Sequence, residues 1–171
     1  MNKKNIRNYQ IISFVFCIIL GTLLHFTYKL SGENKIIGLL SAINESVWEH
    51  LKLVYFPMLI SIIIGTLIFK KDYPNFFCLK TIGLIFSMFF IVIFFYTYSG
   101  ILGKNIAIVD ILSFFIAVFI GEFISYALIV NHFKCNKTIS AIILIVLFTC
   151  FIVFTYSPPN FGIFADPLIK K

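Results

Sequence analysis

The sequence predicts an all-α membrane protein, a polytopic helix bundle with about five transmembrane helices. Of its 171 residues, 60% are hydrophobic and 12% are charged, whereas a soluble domain carries about 25% charged residues. The mean hydropathy is +1.01. Crossing a hydrocarbon core about 30 Å thick takes about 20 apolar residues, and five runs approach or exceed that length: 9–30, 53–70, 76–99, 106–131 and 138–157. We therefore expect a single transmembrane domain over residues 1–171.

Basic residues cluster at the ends of these runs and predict the orientation, because loops rich in Lys and Arg tend to remain cytoplasmic. An inside N-terminus leaves eight on the cytoplasmic side: Lys3, Lys4, Arg7, Lys70, Lys71, Lys80, Lys134 and Lys137. Six then lie outside: Lys29, Lys35, Lys52, Lys104, Lys170 and Lys171. The bias predicts N-in and C-out. The net charge of +7 is accordingly assigned to topology and phospholipid contact, and no nucleic-acid partner is expected.

The first run follows a basic leader, as a signal peptide would. Its apolar part is too long and lacks a small-residue cleavage site, which favours a retained span. His25 lies towards the outer end of this span, one turn from Gly21, where a small residue permits close helix packing. Either a hydrogen bond between helices or a role as ligand or proton acceptor would explain a histidine there.

The stretch from Asn44 to Lys52 concentrates polar residues in a chain that has few of them. It contains two of the seven acids, one of the three histidines and the only tryptophan. Asn44 is a favourable N-cap, which predicts a helix starting there with Glu45 and Glu49 on one face of its first turns. Lys52 follows Glu49 by three residues and can pair with it. The stretch is either a salt-bridged helix start anchored by its tryptophan or a cation or proton site that includes His50.

The fourth span carries two acids. Asp110 lies about one turn inside the outer interface, and Glu122 lies about 18 Å deeper at 1.5 Å per residue. A carboxylate near mid-membrane is costly, so Glu122 should face the bundle interior and be protonated or paired with a cation.

The four cysteines lie in spans or on the predicted cytoplasmic side: Cys17, Cys78, Cys135 and Cys150. Since disulfides are rare in reducing compartments, the sequence predicts four free thiols.

The C-terminal tail is expected to fold back over the outer mouth of the bundle. Pro158 and Pro159 end the fifth helix, and the apolar residues that follow do not suit a freely solvated tail. This would bring Asp166 near Glu45, Glu49 and Asp110.

Several short motifs together resemble a family of small bacterial multi-helix membrane proteins classed as a domain of unknown function. The residues that carry the resemblance are Asn44 to Lys52, Phe56-Pro57, Tyr96-x-Tyr98-Ser99-Gly100 and Pro158-Pro159 with Phe164-x-Asp166-Pro167. The resemblance covers essentially the whole chain. It implies a multi-pass protein of the bacterial plasma membrane and contributes no reaction.

Three functions remain open, and no nucleotide-binding glycine loop, nucleophile elbow or CxxC motif narrows them. The first is a structural or accessory membrane subunit, which would contact lipid and a protein partner. It ranks first because the polar residues would need no role beyond packing and hydrogen bonding. The second is a metal-dependent membrane enzyme acting on a lipid or envelope substrate. A divalent metal would then be the cofactor, held by members of the set His25, Glu45, Glu49, His50 and Asp110. The third is a small proton-coupled transporter that uses Glu122.

Overall fold

The computed structural model describes residues 3–167, which form six α-helices and one 3₁₀ turn and, within that range, no strand. The helices are α1 (Lys3–Leu30), α2 (Lys35–Gly38), α3 (Val47–Phe69), α4 (Phe76–Leu102), α5 (Ala107–Val130) and α6 (Lys137–Tyr156), and the 3₁₀ turn spans Gly162–Phe164. All except α2 are long and apolar enough to cross a membrane. The predicted all-α bundle with five spans is confirmed.

The core lies along α3 and α4, the two helices with the largest buried share. Helix α4 packs against α3, α5 and α6, while α1 packs against α3 and α5. Tyr55 of α3 is fully buried, and its hydroxyl donates to the Leu144 carbonyl oxygen of α6 at 2.6 Å. Large apolar side chains remain exposed along α1, α5 and α6, as expected where lipid is the solvent.

Helices α4 and α5 approach closely where two glycines face each other. A Cβ added at Gly121 would lie 2.7 Å from the Gly83 carbonyl oxygen, and one at Gly83 would overlap the Gly121 carbonyl oxygen. Small residues at facing positions allow membrane helices to pack backbone against backbone. Gly21 has the same role between α1 and α3, because its added Cβ would lie 2.5 Å from the Leu53 carbonyl oxygen.

The link between α5 and α6 folds back onto the start of α4. Cys78 and Cys135 form a disulfide there with their Cα atoms 6.2 Å apart, and the Tyr73 and His132 rings stack nearby at 5.7 Å. The prediction of four free thiols is therefore wrong for this pair. The two cysteines are 57 residues apart in sequence, and only the fold brings them together. Cys17 and Cys150 are free.

The tail covers the end of the bundle where α3 begins, as predicted. Phe164 packs on Trp48 with ring centroids 4.9 Å apart, and Asp166 Oδ2 accepts from the Glu45 backbone N–H at 3.2 Å. Trp48 also contacts Phe151 of α6. The tryptophan expected as an interfacial anchor thus joins the tail to two helices.

Orientation stays a prediction, and the structure changes what supports it. Lys80 and Lys52 are fully buried in ion pairs with Glu122 and Glu49, so neither is a loop charge. Lys170 and Lys171 lie outside the described residues.

Candidate functional site

The start of α3 positions the candidate site, and it differs from the prediction by two residues. Ser46 is the N-cap, with its Oγ accepting from the Glu49 N–H at 3.3 Å. Asn44 instead turns the preceding loop, because its Oδ1 accepts from the Ser46 N–H at 2.9 Å. The predicted N-cap at Asn44 is wrong. Glu45 consequently lies in the loop before the helix and does not share a helical face with Glu49.

Glu49 and Lys52 connect that loop to α3 through hydrogen bonds. The Glu49 carboxylate is 2.7 Å from Lys52 Nζ, and both side chains are almost completely buried. Glu49 Oε2 also accepts from the Ile43 N–H at 3.0 Å, and Lys52 donates to the Gly38 carbonyl oxygen at 2.9 Å. The predicted Lys52–Glu49 pair is confirmed. Glu49 lies outside the group that could bind a metal.

His25, Glu45 and His50 converge from α1, the loop and α3. Their nearest ligand atoms all lie within 4.8 Å of one another, and each side chain is half-buried. His50 Nε2 lies 3.4 Å from Glu45 Oε2, and the two imidazole ring centroids are 5.3 Å apart. The structure thus brings together three of the five residues proposed from the sequence.

Hydrogen bonding around His50 fixes how its ring meets Glu45. His50 Nδ1 lies 2.9 Å from the Ser46 carbonyl oxygen, which can only accept, so Nδ1 carries the proton. In the neutral ring, Nε2 then presents its lone pair towards the Glu45 carboxylate. Two acceptors that face each other need a cation or a proton between them. His25 adds a buried Nδ1 that no group in the described part of the chain satisfies.

A cavity of about 310 Å³ opens beside this group. It is enclosed by side chains from α1, α3, α4 and α5 and by Asn105 and Glu45 from the loops, with mainly apolar walls. Asp110 also lines it, and the Tyr98 hydroxyl donates to its Oδ1. Asp110 therefore faces the same space as the histidines without belonging to the three-residue group.

Glu122 belongs to a separate buried network. Lys80 Nζ pairs with Glu122 Oε2 and also donates to Gln10 Oε1 and to Ser13 Oγ, which uses all three of its protons. Ser13 in turn donates to Glu122 Oε1 at 2.7 Å, and its oxygen also meets Ser61 Oγ. Glu122 faces the bundle interior and is paired with a cation, as the sequence required.

The sequence analysis did not predict the roles of two residues, Lys80 in the Glu122 network and Ser46 beside His50. Lys80 was counted as a loop charge, although it lies within the first turns of α4. Its position inside a predicted span could have indicated that it is buried and paired with an acid. Ser46 was missed because Asn44 is an equally favourable cap. Its carbonyl oxygen sets the tautomer of His50, and no sequence pattern marks that role.

The fold and site define a class: a multi-pass helical membrane protein in which two histidines and a glutamate adjoin an apolar cavity. A model described as a family of unknown function (DUF6512) matches residues 1–171. The chain belongs to this family, in agreement with the expected membership of an uncharacterised family. No curated protein and no solved structure matches the chain.

Proposed function

We propose that this protein is a metal-dependent membrane enzyme in which His25, Glu45 and His50 hold a divalent transition metal. The observation that carries the proposal is the convergence of one ligand atom each from His25, Glu45 and His50, all within 4.8 Å of one another, with His50 Nε2 and Glu45 Oε2 3.4 Å apart. Two ligands about 2.1 Å from a tetrahedral zinc ion are themselves about 3.4 Å apart. The spacing already matches two corners of such a site, and His25 lies within a small side-chain adjustment of a third.

The surroundings of the three residues agree with a catalytic metal rather than a structural one. Structural zinc sites have four protein ligands, whereas catalytic sites have three, often histidines with a glutamate, and leave a position for water. A metal-binding histidine usually donates its other ring N–H to a carbonyl or carboxylate, as His50 does to Ser46. The fourth coordination position would face the adjacent cavity and remain open to water or substrate. Bound there, the metal would activate water or polarise a carbonyl group.

The two other functions gain less support. An accessory subunit gives no reason for a buried His25 Nδ1 that has no hydrogen-bond partner among the described residues. A proton-coupled transporter would use Glu122, but that carboxylate is already engaged by Lys80 and Ser13. The enzyme hypothesis therefore replaces the accessory subunit as our first choice.

Metal titration of the full-length protein in detergent micelles tests the proposal. After removal of metal with a chelator, we expect one equivalent of Zn²⁺ per chain by elemental analysis and tetrahedral d–d absorption with Co²⁺. His25→Gln, Glu45→Gln and His50→Gln should each weaken binding strongly, and affinity should fall as the pH is lowered because protons compete for the histidine nitrogens.

The third histidine provides the matched control. His132 lies at the other end of the bundle, with a φ of 53°, so asparagine, which tolerates that conformation, is the suitable substitution. His132→Asn should bind metal as the unchanged protein does. If the chain binds no zinc, or if His25→Gln and His50→Gln bind it unchanged, the metal proposal is wrong, and a protonated His50 paired with Glu45 explains the geometry.

A further inference from the structure

The cavity beside the metal ligands suggests the substrate, and this inference rests on the proposed function. It is lined by the polar residues His25, Glu45, His50 and Asp110 and by apolar walls that make up most of its surface, including Leu53, Ile91, Phe95, Ile111 and Phe114. A water-soluble substrate would leave those walls without suitable contacts. A molecule with a polar group at one end and a hydrocarbon chain at the other would match both parts.

The position of the cavity favours a chain that enters from the bilayer. Its walls come from four of the helices that are long and apolar enough to span. Phe26 and Ile111 line it and are nevertheless 52% and 53% exposed. They therefore form an edge of the opening on surfaces that hydrocarbon would cover in a membrane. A lipid chain reaches such an opening without leaving the membrane.

The volume limits how much of a lipid is enclosed. About 310 Å³ lies at the lower end of the range of about 300–1,000 Å³ found for small-molecule pockets. It provides room for an ester group and the adjoining part of one hydrocarbon chain. The rest of the lipid would remain in the bilayer.

Charge indicates which bond of the lipid meets the metal. The charged side chains on the described cavity wall are the carboxylates Glu45 and Asp110, and no Lys or Arg side chain is among the described lining residues. A divalent metal would roughly neutralise the two acids, leaving no excess positive charge for a phosphate group. An uncharged acyl ester suits this environment better than an anionic phosphodiester.

We infer that the protein hydrolyses fatty-acyl esters of membrane lipids, with the first part of one acyl chain in this cavity and the ester at the His25, Glu45 and His50 site. The oxygen of water adds to the acyl carbonyl carbon, and the bond from that carbon to the alcohol oxygen breaks. One proton of the water passes to the alcohol oxygen. The products are a fatty acid and an alcohol, with no change in oxidation state.

Vesicles without acyl esters of their own provide a clean assay. The full-length zinc-loaded protein is reconstituted in ether-linked phosphatidylcholine containing dioleoylglycerol, and lipid products are measured by mass spectrometry. We expect oleic acid to be released in proportion to protein, and the release to stop in His50→Gln. Release of phosphocholine with no oleic acid would overturn the ester assignment.

Two tryptophan substitutions on α5 separate the cavity from the metal site. Ile111→Trp enlarges the side chain at the edge of the opening and should abolish oleic acid release by blocking entry of the acyl chain, while zinc binding, measured in the same samples, remains. Ile116→Trp is the matched control, because Ile116 is exposed on the same helix and does not line the cavity. It should retain both properties.

The failures of the two proposals are distinguishable. Zinc bound with no oleic acid released, or equal release from Ile111→Trp and the unchanged protein, overturns the substrate inference and leaves the metal site in place. Absence of zinc binding overturns the proposed function itself. Oleic acid release that persists in chelated protein overturns the metal-dependent mechanism for this substrate.

Discussion

Replacing Glu122 by glutamine is expected to destabilise the bundle by about 3 kcal/mol, because it leaves the buried Lys80 ammonium without its counter-charge. The two side chains are nearly or fully inaccessible. Glutamine preserves the volume of glutamate, so no cavity contributes to the loss. What changes is the charge opposite Lys80.

The contacts around Lys80 set the size of the effect. Removing one partner of a buried ion pair costs about 3–5 kcal/mol. In Glu122→Gln, Lys80 still donates to Gln10 and to Ser13, which places the cost at the lower end. About 3 kcal/mol corresponds to a change of roughly 100-fold in the folding equilibrium. Lys80→Met should cost more, since the Glu122 carboxylate then has only its hydrogen bond from Ser13.

A double-mutant cycle in detergent micelles measures the pair. Unfolding by denaturing detergent is followed by circular dichroism for Glu122→Gln, Lys80→Met and the double variant. The double variant contains no unpaired buried charge, so it should be more stable than either single variant. Asp72→Asn, in an exposed turn, controls for the loss of one negative charge. If the losses of stability in the two single variants add up in the double variant, or if each single variant is as stable as the unchanged protein, the two charges do not interact in the folded state.

Four further outcomes follow from the packing and the topology. Gly121→Leu should sharply reduce the yield of folded protein, since its side chain would meet the backbone of α4. Cys135→Ser should leave the buried Cys78 as a free thiol, which raises the number of thiols labelled after unfolding of the unreduced protein from two to three. Phe164→Ala should shift the emission of Trp48, the only tryptophan, to longer wavelength, because the tail ring that covers it is lost. Tags on the two termini should be accessible from opposite sides of the membrane, with the N-terminal tag inside.

Each of the first three has a matched control in the chain. Gly100→Leu has no neighbour within 4 Å of the added Cβ, Cys150→Ser alters a thiol that is already free, and Phe161→Ala removes a ring that is 71% exposed. Equal behaviour of a variant and its control would contradict the corresponding contact. Tags accessible from one side would contradict five spans, and a C-terminal tag inside would reverse the orientation.

Composition and the spacing of apolar residues were enough to predict the membrane-compatible helical fold and the approximate limits of its spans. Long apolar runs have few alternatives, because a backbone in hydrocarbon must satisfy its hydrogen bonds internally and an α-helix does so locally. The same cost of burial required Glu122 to find a cation or a proton. The cost of exposing apolar side chains to water likewise predicted that the tail around Phe164 packs against another part of the chain. These requirements are local, so composition and spacing were enough to state them.

Which polar groups contact each other depends on how the helices and loops pack, and the sequence does not show it. Glu45 and Glu49 are chemically identical and four residues apart, yet Glu49 is taken by Lys52 while Glu45 faces His50. The choice follows from the helix starting after Ser46 and not at Asn44, where the sequence predicted the N-cap.

Lys80 meeting Glu122 and Cys78 meeting Cys135 depend in the same way on how separate helices pack. Such contacts join residues 42 and 57 positions apart. Helical periodicity carries no information at that range, and the packing of α4 against α5 and of the α5–α6 link against α4 supplies it.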